Sequence, residues 1–180
     1  MEGFLSYFRF SKVARHIVQN SKVLDLGCGY NGFFLKKVED KISSGIGIDM
    51  LVNKNNLSPK ISLISHDLNQ VLPFEENSFD VAVSLANLEH LENPTKNINE
   101  IFRVLRPGGL LLLTTPTIYA KPVLEFLSFK LKIVSEEGVR DHKNYFTREK
   151  LIGILKNAGF ASVRHRYFQL FMNSFIYARK

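Results

Sequence analysis

The chain has 180 residues, 45% hydrophobic and 23% charged, ordinary values for one globular domain long enough to bury a core. This composition argues against disordered, collagen-like and disulfide-rich classes, and the single cysteine, Cys28, excludes an intramolecular disulfide and any multi-cysteine metal site. The net charge of +7 is uneven: residues 1–120 hold 12 Lys and Arg against 12 Asp and Glu, whereas residues 121–180 hold 12 against 5.

The first ten residues are aromatic but broken by Glu2, Ser6 and Arg9, so they do not read as a signal peptide. No stretch is apolar over the length a bilayer requires, and the expected location is cytoplasmic. Residues 4–18 place Phe4, Phe8, Val13 and Ile17 at helical spacing. Strand and helix patterns then alternate, as in an α/β fold with a parallel sheet. Strands are expected at 22–26, 45–48, 61–65, 79–85 and 110–115, and helices at 33–39, 94–105 and 147–158. Asn93 and Thr147 are the expected caps, and Pro94 occupies a first helical position. Arg106-Pro107-Gly108-Gly109 reads as a turn into the fifth strand, and Gly159 as a helix stop. Residues 160–179 hold two β-rich stretches, expected as an antiparallel pair at the sheet edge. Residues 116–146 are the least regular and read as an insertion covering the site, within a single domain spanning 1–180.

The sharpest motif runs from Val23 to Gly32. A buried strand enters a glycine turn and then a helix, which lets a ligand approach the backbone beside the donors of a helix N-terminus. Gly27, Gly29 and Gly32 also spell a dinucleotide fingerprint, with Asp49 about 20 residues on, so a nicotinamide cofactor is an alternative. Two acids favour an adenosyl sulfonium cofactor instead. Asp25 sets an anion where a pyrophosphate would be repelled and an ammonium attracted, and Asp67 can accept from an adenine amino group. Asp25 also has a purely structural use in bonding backbone amides at the turn, and Asp49 in capping the next helix.

At these positions the sequence resembles the class I S-adenosylmethionine-dependent methyltransferases, especially their small-molecule methylases. The resemblance covers about 22–115 and recurs weakly at 146–160. It rests on Val23 to Gly29, Gly47-Ile48-Asp49, His66-Asp67-Leu68, Phe79-Asp80-Val81, Leu88-Glu89-His90-Leu91 and Leu105-Arg106-Pro107-Gly108-Gly109, in the family's order. It implies a Rossmann-like, doubly wound sheet of about seven strands, the last antiparallel, with helices on both faces. It implies S-adenosylmethionine as cofactor, with Gly27, Cys28, Gly29 and Asp25 around its methionyl part. Asp49 would hold the ribose, Met50 would pack on the adenine, and Asp67 with Leu68 would read its edge. Ser84, Leu85 and Ala86 would lie beside the sulfonium. One departure is Asn31, where the family usually has a third glycine.

Methyl transfer to a proton-bearing oxygen or nitrogen benefits from a general base. His142, in the covering insertion, is the first candidate and His90 the second. Tyr145 and Tyr119 are candidate pocket residues or loop anchors, and Cys28 reads as a small loop residue rather than a nucleophile. The expected partner is a small-molecule acceptor, anionic or lipid-linked, and no metal is called for. Aromatic residues mixed with lysines at 118–134 keep peripheral membrane contact open. The lack of a binding module argues against nucleic acid. A non-catalytic cofactor-binding module is the remaining alternative, and oligomeric state is not legible.

Overall fold

A computed structural model describes residues 2–55, 57–126, 128 and 139–180, with the side chains of 2–7 left aside. Helix α1 (Glu2–Ala14) precedes strand β1 (Ser21–Leu26), and α2 (Phe33–Lys37) leads to β2 (Ile42–Asp49). Strands β3 (Ile61–Ser65) and β4 (Phe79–Leu85) follow, then a 3-10 turn (Leu88–His90) and α3 (Pro94–Val104). The chain continues through β5 (Leu105–Pro116), α4 (Ala120–Glu125), α5 (Arg148–Asn157), β6 (Ser162–Phe168) and β7 (Asn173–Arg179).

The seven strands form one sheet in the order β3-β2-β1-β4-β5-β7-β6. Strands β1 to β5 pair in parallel, and β7 runs antiparallel to both β5 and β6. The order reverses between β1 and β4, which makes their carboxyl ends the topological switch point where α/β sheets open a ligand crevice. Strand alternation supplies two cores. Leu24, Leu26, Ala82, Leu111 and Leu113 face one side, with Ile98, Ile101 and Val104 of α3 and Leu151 and Leu155 of α5. Val23, Val81, Val83, Leu110 and Leu112 face the other, with Val13 of α1 and Phe34 and Leu35 of α2.

Local signals account for the element ends. The Lys96 amide donates to Asn93 Oδ1 at 2.9 Å and the Lys150 amide to Thr147 Oγ1 at 3.2 Å, so both expected caps form. Helix α2 stops at Lys37, two residues before its expected end. The expected turn at 106–109 is instead a bulge within β5. Phe79 pairs with Leu105 and Val81 with Leu110, so four residues bow out opposite Asp80. Arg106 Nη1 closes the bulge on Asp80 Oδ1 at 2.6 Å. The region read as irregular contains α4, while residues 129–138 lie outside the described chain. No helix among the described residues is long and apolar enough to cross a membrane.

Candidate functional site

The glycine turn opens at the switch point because three residues there adopt left-handed backbone: Gly27 (φ 75°), Gly29 (φ 69°) and Gly32 (φ 58°). A methyl group on Gly27 would lie 2.7 Å from Asn87 Cβ, so only glycine lets the two loops close together. The left-handed position falls on Gly32 rather than Asn31, which answers the departure noted in the sequence. Asn31 Oδ1 instead accepts from Asn53 Nδ2 at 3.3 Å.

A cleft of about 480 Å³ lies over this turn, within the range of small-ligand sites. Its wall includes Gly27, Asp49, Met50, Asp67, Leu68 and Ala86, all expected from sequence, and also His90. Asn69, Asn87, Leu91, Asp141 and Lys143 complete it and were not singled out. Asp49 is aimed by two amides: Gly29 N–H donates to its Oδ2 at 2.9 Å and Met50 N–H to its Oδ1 at 2.8 Å. Each oxygen keeps a second lone pair toward the cleft, which suits a vicinal diol. Asp67 Oδ1 accepts from the Asn69 backbone amide at 2.9 Å, the main reason its carboxyl is held below the ordinary range. The loop holding Leu68 is tied to α3 by Asn97 Nδ2, which donates to the Leu68 carbonyl at 3.1 Å. Ala86 adopts φ 51°, a costly conformation for a residue with a Cβ, directly on the cleft wall.

Four expected residues lie behind the wall. Asp25 is 1% exposed, and its Oδ2 has no hydrogen-bond partner among the described residues. Burial, and next the charge of Asp49, push its carboxyl up to about 7. An orphaned buried carboxyl oxygen beneath a glycine turn fits a ligand ammonium. Cys28 turns its thiol inward and donates to the Gly29 carbonyl at 3.4 Å, and burial raises the thiol far above its usual range. Its role as a nucleophile is thereby disfavoured. Ser84 is fully buried, with its Oγ 3.5 Å from Asn87 Nδ2, and Leu85 packs in the core. Neither Cys28 nor Leu85 lines the cleft.

An acid–base cluster adjoins the cleft. Glu89, His90 and His142 each bring one ligating or proton-accepting atom within 4.8 Å of the others. His90 Nδ1 meets Asp141 Oδ2 at 2.8 Å, and His142 Nδ1 meets the Tyr145 hydroxyl at 3.0 Å. Glu89 is 1% exposed, its carboxyl is raised by burial, and its Oε2 accepts from Thr115 Oγ1 at 3.0 Å. Burial, then the neighbouring His90, hold His142 down to about 4, so its imidazole is neutral at pH 7. The sequence favoured His142 over His90, yet His90 is the one on the cleft wall, with His142 beside it at 4.9 Å between rings. Tyr145 anchors His142, and Tyr119 is 60% exposed.

The cluster holds together because residues 141–144 are pinned onto the 3-10 turn. The amides of Lys143 and Asn144 both donate to the Glu89 carbonyl, at 2.9 and 3.0 Å, and Asn144 Nδ2 reaches the Leu91 carbonyl at 2.7 Å. Glu89 had been read only as part of a motif, and its burial is what marks it. Arg9 of α1 was missed altogether. Its Nε is buried without a partner among the described residues, and its charge acts on both Glu89 and His142.

A family model described as a methyltransferase domain matches residues 4–165. The chain is 26% identical to a demethylmenaquinone methyltransferase of Staphylococcus saprophyticus over 176 residues, covering 85% of this chain and 76% of that one. It is 28% identical to a sterol 24-C-methyltransferase of Neurospora crassa over 180 residues, covering 87% of this chain but 46% of the relative. The chain spans less than half the length of several other curated relatives, for example 40% of one and 30% of another. Among solved structures, an S-adenosylmethionine-dependent methyltransferase from Mesorhizobium loti superposes with a TM-score of 0.74 at 19% identity, covering 94% of this chain and 96% of that one.

Proposed function

The chain belongs to the class I S-adenosylmethionine-dependent methyltransferases, and from that membership we propose that it methylates an oxygen or nitrogen atom of a small acceptor. The bound cofactor supplies an electrophilic methyl group, so the hard chemistry is not the protein's. The protein's own work is to hold the acceptor in line with the methyl group and to take its proton.

The observation that carries this reading is His90, set on the wall of the cleft with its Nδ1 anchored by Asp141. With Nδ1–H donating to the carboxylate, Nε2 keeps its lone pair and is the base. In that role Nε2 would take the X–H proton of the acceptor, whose lone pair would then be free to receive the methyl group that the cofactor would supply, with the donor sulfur as leaving group. His142 and Glu89 stand behind His90, and the charge of Arg9 acts on both. In this assignment Asp25 meets the cofactor ammonium, Asp49 its ribose, and Asp67 with Leu68 its adenine edge, with Met50 against the ring.

The test is methyl transfer from a labelled donor to hydroxyl- and amine-bearing acceptors, with the product site located by NMR. His90→Ala should lower kcat by roughly 10²- to 10⁴-fold while leaving S-adenosylhomocysteine affinity within about twofold. Unchanged turnover in the folded variant would remove His90 as the base. A methyl group found on carbon, as the names of the sterol relatives carry, would correct the acceptor atom.

A further inference from the structure

Basic side chains from the end of α1 and from β6 gather around a second cavity, on the α1 face of the sheet and away from the cleft. It measures about 370 Å³ and is lined by Lys12, Arg15, His16, Arg164 and Arg166 over Phe175 and Tyr177. The two cavities share no lining residue. Arg164 and Arg166 are two apart on β6 and so point to one face. Across the ladder they pair with Tyr177 and Phe175, which places both rings beneath them. The C-terminal end of α1 and the residues just past it bring Lys12, Arg15 and His16 over the same rings.

The floor is aromatic and ordered. The His16 ring stacks on Phe175 with centroids 5.4 Å apart at 28°, and meets Tyr177 edge-on at 5.7 Å. Lys12 Nζ stands 5.0 Å from the Phe168 ring centroid and 5.6 Å from that of Phe175. No acid lines the cavity, and among the described residues none of its four permanent cations forms an ion pair. Lys12 is held below its ordinary range by burial and then by Arg15 and Arg166; His16 is lowered by burial and by the same two arginines with Lys12. The cations therefore feel one another. Cation–ring contacts attract each cation singly but do nothing to neutralise the crowd. An anion does.

We propose that this cavity binds a phosphate-bearing anion, a phosphomonoester or diphosphate. Guanidinium forks match phosphate oxygens two at a time, and two of them side by side with a lysine suit more than one charge. The cavity is larger than one phosphate needs, which leaves room for an attached group against Phe175 and Tyr177. The source of the phosphate is either a soluble ester or a lipid headgroup. The β6–β7 turn next to it exposes Leu170 (89%) and Phe171 (62%), so a membrane source belongs in the test.

The experiment is calorimetric titration of the full chain with inorganic pyrophosphate at fixed ionic strength, with sodium chloride and sulfate as controls. Saturable binding is expected, weakened at least tenfold in Arg164→Ala and in Arg166→Ala. S-adenosylhomocysteine affinity, unchanged in both variants, reports that they remain folded and keeps this result separate from the fate of the proposed reaction. Cosedimentation with vesicles containing phosphatidic acid, a phosphomonoester headgroup, against phosphatidylcholine alone, separates the sources. Vesicle binding displaced by pyrophosphate and lost in the variants identifies a lipid headgroup; pyrophosphate binding without vesicle binding identifies a soluble ester. No saturable pyrophosphate binding, or binding that the variants leave intact or that sulfate and chloride match, overturns the proposal.

Discussion

Asp25 is the residue through which the proposed cofactor site would answer to pH. Its carboxyl stands at about 7 against an ordinary 3.8, because burial and Asp49 both oppose ionisation. The unfolded chain therefore loses this proton first as pH rises. The contribution of Asp25 to the stability of the ligand-free protein is present in full below about pH 4, is lost progressively up to about pH 7, and amounts to about 4 kcal/mol once lost. An ammonium placed against Oδ2 removes the penalty by stabilising the ionised form. S-adenosylhomocysteine affinity is thus expected to rise between pH 5.5 and 7 and level off above, with the slope abolished in Asp25→Asn. Titration calorimetry across that range checks it, and a pH-independent affinity would remove Asp25 as the ammonium partner. Asp49 makes a separate case. Asp49→Ala deletes an acceptor of two charge-assisted hydrogen bonds, each worth about 1.5–3 kcal/mol, and should weaken cofactor binding by at least tenfold. An unchanged dissociation constant in the folded variant would sink the ribose assignment.

The elements show how far local signals reach. The caps of α3 and α5, and the proline at the start of α3, are read from adjacent residues and form as expected. Thr147→Ala should cost about 1 kcal/mol, measured as a lowered urea midpoint with an unchanged slope; no change would mean that α5 is held by packing alone. The bulge at 106–109 was harder to see. Pro107-Gly108-Gly109 announces a break in regular backbone, but whether the break is a turn or a bulge depends on where β4 pairs, which is not a local property. The Glu89, His90 and His142 cluster is also a carboxylate and two imidazoles, a donor set that fits zinc or iron(II). In the proton-transfer reading, chelator treatment leaves methyl transfer unchanged; activity lost to chelator and restored by one metal would replace that reading.

At the scale of the whole molecule, the cleft depends on a parallel sheet whose order reverses between β1 and β4. A ligand bound only by the folded state at a hundred times its dissociation constant adds about 2.7 kcal/mol of stability. S-adenosylmethionine and S-adenosylhomocysteine should both raise the melting temperature, and NADH should not. A rise with NADH alone would return the glycine turn to the dinucleotide reading.

The sequence by itself determined the class of the fold and most of the cleft wall, because strand and helix periods, caps, glycine positions and the acids at strand ends are local features written in consecutive residues. Gly27, Asp49 and Asp67 were singled out from such local features and Ala86 from the family resemblance, and all four lie on the wall of one cleft. Only the tertiary structure decided which groups share a site. His90 and Asp141 are 51 residues apart, joined when the backbone amides of Lys143 and Asn144 bond the Glu89 carbonyl. Lys12 and Arg166 meet only because α1 packs against the far edge of the sheet. Burial decided the rest: it left Asp25 with an unpartnered oxygen and turned Cys28 inward, and burial is a property of the packed whole that periodicity along the chain does not carry.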